Sequence, residues 1–267
     1  MSNSSEAPCE EDAQSERTPG RVTREVRFGL AELAPDEDRA GGWFLRVNDI
    51  AQSYVDLNDP SHLELDYMRY LAYVLEAREP AAAPLDVVHI GGGAGTFPRY
   101  LAAVRPGSRQ LVIEADEALA EFVDQHLGLR AVPGLDLRIG DGLSEIATLA
   151  TDSMDVVVAD AFEGLRMAPG ITGAEFTAQV ARVLRPDGIY LLNLIGTGAG
   201  SDAVRAVFPH RVLVDGDVFA GYVGNRVLAA SRVPFRLDAL NRIAGRAWPP
   251  TRVWPDEGSE TLARTEG

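Results

Sequence analysis

Apolar and polar positions follow two different periods along this 267-residue chain, and the change of period divides it. Between Glu25 and Asp56 the apolar positions form short runs, at Arg27–Leu30, Trp43–Val47 and Ala51–Val55, with turn formers at Pro35-Asp36 and Gly41-Gly42. Such runs predict the strands of a small antiparallel sheet. From Leu63 the period becomes helical. Leu63, Tyr67, Tyr70, Leu71 and Val74 share one face, so a helix is expected from His62 to about Ala77, with Ser61 as its cap.

Beyond Pro84, compact apolar runs alternate with amphipathic stretches. Strands are expected over 85–90, 111–113, 137–139, 154–159 and 188–194, and helices near 97–104, 117–127, 143–149 and 174–184. Strict alternation of this kind implies a parallel sheet with right-handed crossovers. A short helix at 204–208 then precedes two runs, 212–215 and 226–230, that suit an antiparallel pair at one edge. That ending separates a methyltransferase-type sheet from a nicotinamide-binding one. The expected fold is α/β and Rossmann-like, of the class I methyltransferase type. It has a mostly parallel seven-stranded sheet, helices on both faces and a small N-terminal antiparallel β-domain. The expected divisions are an acidic disordered leader (1–20), the β-domain (21–60), the main α/β domain (61–245) and a Pro-rich tail (246–267), where Trp248 and Trp254 could latch the tail to the body. The chain has no internal repeat.

The richest signal lies where the run Leu85-Asp86-Val87-Val88-His89-Ile90 meets Gly91-Gly92-Gly93-Ala94-Gly95. A buried strand turning into a helix through glycines lets backbone approach a phosphate or nucleoside closely. The G-x-G-x-G spacing has Thr96 where a dinucleotide fingerprint would want another glycine, which weakens a nicotinamide or flavin reading. The following strands end in Glu114, Asp141 and Asp160. In an open parallel sheet the ligand crevice lies outside the carboxyl ends of the strands, so these acids are expected to share one site with the glycines. Glu114 suits a ribose diol and Asp141 an exocyclic amine, although either acid alone could cap the helix that follows. Asp160 precedes no helical pattern, which favours a ligand or catalytic role.

Composition narrows the chemistry. All 25 basic residues are arginine, which excludes Schiff-base, P-loop and kinase lysines. Cys9 is the single cysteine and lies in the leader, leaving the body without a disulfide or a thiol nucleophile. His62, His89, His126 and His210 lack ligand spacing, so no metal is expected, and His89 is expected to pack inside its strand. The net charge is −15, of which about −10 falls on the body; this disfavours nucleic acid and attracts a cationic substrate. No stretch has transmembrane length and the N-terminus lacks a signal-peptide pattern, so the expectation is a cytoplasmic protein with no membrane partner.

With these residues in view, the chain resembles the spermidine synthase (polyamine aminopropyltransferase) family over roughly residues 43 to 228, as a shortened and divergent relative. The likeness rests on Gln52 followed by Glu64-Leu65-Asp66-Tyr67, on the glycine turn, and on Glu114, Asp141-Gly142 and Asp160. It extends to Glu175-Phe176 and Leu184-Arg185-Pro186-Asp187-Gly188. The resemblance implies a sulfonium nucleoside as co-substrate, either decarboxylated S-adenosylmethionine or S-adenosylmethionine, and no metal. It implies donor contacts at Gln52, Gly91, Gly93, Gly95, Glu114, Asp141 and Gly142. Asp160 would accept the proton of a small-molecule amine or polyamine-like acceptor, with Tyr67 orienting the nitrogen and Glu163 facing a distal ammonium. A homodimer is the implied assembly, against which the short β-domain counts.

The departures bear on the reaction. Ala94 stands where the family usually has an aspartate thought to hold the aminopropyl ammonium. Asp160-Ala161-Phe162-Glu163-Gly164 keeps the first acid of the gate loop but loses its proline, and Arg69 replaces an acid two residues after the helix tyrosine. Three readings therefore stand: aminopropyl transfer to a polyamine; methyl transfer from S-adenosylmethionine, for which Ala94 would suit a donor that keeps its carboxylate; and a non-catalytic nucleoside- or partner-binding module. The stretch from Ala161 to Thr172 has the composition and position of a lid.

Overall fold

A computed structural model describes residues 20–195, 201–216, 224–247 and 250–256. Strands β1 (Val22–Val26), β2 (Gly29–Pro35), β3 (Gly42–Val47) and β4 (Ile50–Asp56) form an antiparallel sheet in chain order. Arg27 and Phe28, expected to begin a strand, are instead the turn between β1 and β2, with Val26 paired to Gly29. The left-handed backbone at Gly29 (φ +138°) allows this reversal, and a Cβ there would lie 2.0 Å from the Asn48 amide oxygen. Helix α1 covers Asp66–Glu76, later than the apolar spacing predicts. Ser61 does not cap it: its hydroxyl and its N–H both donate to Asp59 Oδ1, which holds the preceding segment in a turn.

The main sheet is built from β5 (Asp86–Ile90), α2 (Thr96–Val104), β6 (Arg109–Glu114), α3 (Glu117–Leu127), β7 (Leu135–Ile139), α4 (Gly142–Ala147) and β8 (Met154–Ala159). After a two-stranded hairpin, β9 (Phe162–Glu163) and β10 (Arg166–Met167), come α5 (Ala174–Val183), β11 (Leu184–Ile195), α6 (Ser201–Val207), β12 (His210–Gly216) and β13 (Asn225–Ser231). The described chain ends with α7 (Leu237–Ala244) and β14 (Thr251–Pro255). The strand order is β14-β12-β13-β11-β8-β5-β6-β7. The five strands from β11 to β7 run parallel, and β13, β12 and β14 are antiparallel additions at the other edge. This is the methyltransferase-type ending expected from the sequence.

The sheet has eight strands rather than the seven expected, because residues 251–255 of the supposedly loose tail pair with β12. Two side-chain anchors explain the difference. The Trp254 indole N–H donates to Asp215 Oδ1 at 3.1 Å, and Asp256 accepts from Arg205 and Arg211. Trp248 and the acidic leader, apart from Gly20, lie outside the described residues.

Three apolar clusters hold these layers together. One face of the sheet packs on α1, α2 and α7 through residues such as Leu71, Leu101 and Leu240. The other packs on α4, α5 and α6 around Ile146, Phe176 and Val204. The small β-sheet and α3 share a third cluster around Leu33, Leu45, Phe122 and Val123. Each fully buried side chain of this size contributes about 1.5–3 kcal/mol. The small sheet is therefore fixed against the β6–β7 side, which matters for the cleft below. His89 lies inside the core beside Gln110 as expected; burial pushes its imidazole down to about 4, leaving it neutral at physiological pH.

Candidate active site

The chain runs outward from β5 to β6 and β7, then crosses back to lay β8 on the other side of β5. The tips of β5 and β8 therefore flank the reversal point, where a crevice must open. A cleft of about 920 Å³ lies there, walled by the glycine turn, the ends of the parallel strands, α1 and the small sheet. That volume matches a ligand of nucleoside size or larger.

Of the residues singled out from sequence, Gln52, Tyr67, Gly91, Gly93, Glu114, Asp141, Gly142, Asp160 and Glu163 all line this cleft. Gly95 does not: it is the left-handed residue before α2, and a Cβ there would meet Leu129 at 2.4 Å. Packing within the protein also demands the other glycines of the turn. A Cβ on Gly91 would lie 2.3 Å from the Asp160 carbonyl oxygen, and one on Gly93 would lie 2.5 Å from Ser53 Oγ. Close approach here joins β5 to β8 and the turn to β4, and the turn's backbone faces the cleft as a result.

Glu114 is 9% exposed, with Oε2 accepting the Gly92 N–H at 2.8 Å and Oε1 the Asp116 N–H at 2.9 Å. Burial raises its pKa, while these backbone donors work in the opposite direction. Each carboxylate oxygen still has a lone pair to offer a hydroxyl. Asp141 is exposed on the cleft wall and caps α4 through Oδ1, which accepts the Ser144 N–H and hydroxyl at 2.9 Å. Capping and ligand contact are compatible, because Oδ2 is not used in the cap. Glu163 is exposed on β9, in the hairpin that interrupts the 161–172 stretch.

The most connected group is Asp160. Its Oδ2 accepts the Tyr67 hydroxyl at 3.2 Å and its Oδ1 accepts Asn193 Nδ2 at 2.7 Å. Asn193 in turn accepts from Asn225 Nδ2 at 3.0 Å, so α1, β8, β11 and β13 converge on one carboxylate. Burial pushes the Asp160 pKa above the usual carboxylate range, and the two hydrogen bonds pull against it. A raised pKa and a fixed orientation are the properties of a proton acceptor. Tyr67 is itself held well above its ordinary pKa by burial and by the neighbouring Asp160 charge, so it stays a donor.

Sequence reasoning missed Asn193, Asn225, Asp215 and Arg226, all of which line the cleft. Asn193 carried a signal, being the polar residue in the apolar run Tyr190–Leu194 at the open end of a strand. Asp215 and Arg226 lie on the antiparallel pair, 3.7 Å apart, where the rule about parallel strand tips says nothing. Among the described residues the wall holds seven carboxylates and two guanidinium groups. No described cluster of His, Cys, Asp or Glu could hold a metal ion, and no described helix is long and apolar enough to cross a membrane.

Comparison with known proteins finds relatives of this sequence and fold. The spermine/spermidine synthase domain matches residues 65–194. The polyamine aminopropyltransferase of Neisseria meningitidis is 26% identical over 179 residues, covering 66% of this chain and 66% of that protein. The human eEF1A lysine and N-terminal methyltransferase is 28% identical over 198 residues, covering 65% of this chain but only 28% of the much longer relative. Among solved structures, a probable spermidine synthase from Corynebacterium glutamicum superposes with a TM-score of 0.82 at 28% identity, covering 92% of this chain and 94% of that one.

Proposed function

From a chain whose residues 65–194 carry a spermine/spermidine synthase domain, we propose an alkyltransferase that moves an aminopropyl group from a sulfonium nucleoside to an amine acceptor. The observation that carries this reading is the carboxylate of Asp160. It is gripped by Tyr67 and Asn193 at the mouth of the glycine turn. The donor's sulfonium makes its adjacent carbon electrophilic, and displacement needs an unprotonated nitrogen aligned behind that carbon.

In this reading Asp160 takes the proton of the acceptor nitrogen and Tyr67 fixes the nitrogen's direction. Glu114 holds the ribose hydroxyls, Asp141 an exocyclic amine, and the backbone of Gly91 to Gly93 the donor's tail. Gly142 borders the base beside Asp141, and a side chain there would collide with Ile90 and displace that wall. Gln52 reaches in from β4, and Glu163 attracts the far ammonium of a polyamine-like acceptor. The excess of acidic groups favours a cationic acceptor before contact is made.

A second reading, methyl transfer from S-adenosylmethionine, is favoured by one observation. Ala94 is fully buried and its N–H donates to Ser53 Oγ, so that position offers no acid to a donor ammonium. Mass spectrometry of the products separates the two. Incubation with decarboxylated S-adenosylmethionine and putrescine should release methylthioadenosine. S-adenosylhomocysteine formed from S-adenosylmethionine, with the first reaction silent, would establish the second reading. Neither product across a panel of amines would leave the non-catalytic reading.

A further inference from the structure

The turn between β1 and β2 lines the same cleft, although neither its position in the chain nor the roles above give it a task. Val26, Arg27 and Phe28 share that wall with Ala115 and Asp116, the two residues after Glu114. Arg27 Nη1 donates to the Ala115 carbonyl at 3.2 Å, and Arg24 pairs with Glu121 on α3 at 2.8 Å, so the hairpin lies across the start of α3.

The turn is built to keep its shape. Asn48, from the neighbouring β3–β4 turn, donates to the Phe28 carbonyl and accepts the Leu30 N–H, both at 2.9 Å. Its amide fills the space that a side chain on Gly29 would need. The Arg27 guanidinium lies over the half-buried Phe28 ring, 5.2 Å from its centroid. An aromatic face backed by a cation, held at three points beside a ribose-binding strand tip, is a surface on which a flat base can stack. An independent feature points to a ligand at this end. Asp116 is 1% exposed and uses Oδ1 to cap α3, while Oδ2 is buried without a hydrogen-bond partner. A buried acceptor of this kind costs stability until a donor reaches it.

We propose that the β1–β2 turn is the outer wall of the base site, with Phe28 stacking on the purine of the donor, Arg27 holding that ring in place and Asp116 Oδ2 accepting a hydrogen bond from the nucleoside. This inference rests on the sulfonium-nucleoside reading above, and its test distinguishes the two. The probe is 5′-methylthioadenosine, titrated by calorimetry into the whole protein and its Phe28→Leu, Phe28→Tyr and Asp116→Asn variants. Asn preserves the cap of α3 but replaces the unpartnered acceptor with a donor.

Phe28→Leu and Asp116→Asn should each weaken binding roughly tenfold, the scale of one lost stacking or hydrogen-bonding partner, whereas Phe28→Tyr keeps affinity within about twofold. In turnover, Phe28→Leu should raise KM for the donor and leave kcat and the acceptor KM unchanged, a split that a general loss of folding would not produce. Wild-type affinity in both Phe28→Leu and Asp116→Asn would overturn the base-wall assignment and leave the transferase reading intact. Failure of the unaltered protein to bind the nucleoside would overturn both.

Discussion

In the proposed reaction Asp160 concentrates the chemistry, and its surroundings make opposite demands on activity and stability. Burial raises its pKa, so the folded protein holds the proton more tightly than the unfolded chain does, and ionisation costs stability as the pH rises past the ordinary value of 3.8. Asp160→Asn should therefore lower turnover by about 100-fold or more while leaving the thermal midpoint at neutral pH unchanged or higher. Asn193 pulls in the other direction by donating to the ionised form. Asn193→Ala should move the acidic limb of the kcat/KM profile to higher pH, and an unmoved limb would show that Asp160 is not the titrating base. At this scale the sequence was legible where the sheet alone sets the place of a residue: Glu114, Asp141 and Asp160 stand at or just beyond the ends of parallel strands and line one cleft, whether or not they also cap a helix. Asn193 and Asp116 were harder to read. A polar residue in a strand, or at the start of a helix, has an ordinary structural use, and only three-dimensional neighbours reveal another.

Elements were legible wherever local chemistry determined them. Helix α3 matches its expected span because Asp116 caps its start and Gly128, left-handed at φ +62°, ends it. Helix α1 was expected too early because periodicity locates the apolar face but not the first turn, which the Asp59 contacts decide. Strand β14 was unreadable for a different reason. Trp, Pro and Asp suggest a loop, and the segment becomes a strand only through distant partners, chiefly Asp256 with Arg205 at 3.0 Å and Arg211 at 2.9 Å. Burial pushes the Asp256 pKa up, yet the two arginines hold it below the ordinary range. Asp256→Asn should cost about 2 kcal/mol, less than a fully buried pair because both arginines keep some solvent contact. Urea unfolding measures this loss, and an unshifted midpoint would mean that β14 pairs without its anchor.

At the scale of the whole molecule, two sheets meet to make one cleft. The parallel sheet supplies acids at the tips of β6 and β8 and beyond β7, and the antiparallel sheet closes the side that the parallel sheet leaves open, through Gln52 on β4 and the β1–β2 turn. The alternation of strands and helices made the first legible. The packing of the small sheet onto α3 was not, because the contacts join residues far apart in the chain, such as Arg24 with Glu121, 97 positions apart. The central claim is that these parts surround an adenosyl sulfonium with its reacting carbon facing Asp160. A crystal structure of the protein soaked with 5′-methylthioadenosine tests it most directly. The account predicts the ribose hydroxyls on Glu114, the base between the β1–β2 turn and Asp141, and the sulfur directed toward Asp160. A nucleoside bound elsewhere, or one reversed so that its base meets Asp160, would contradict it.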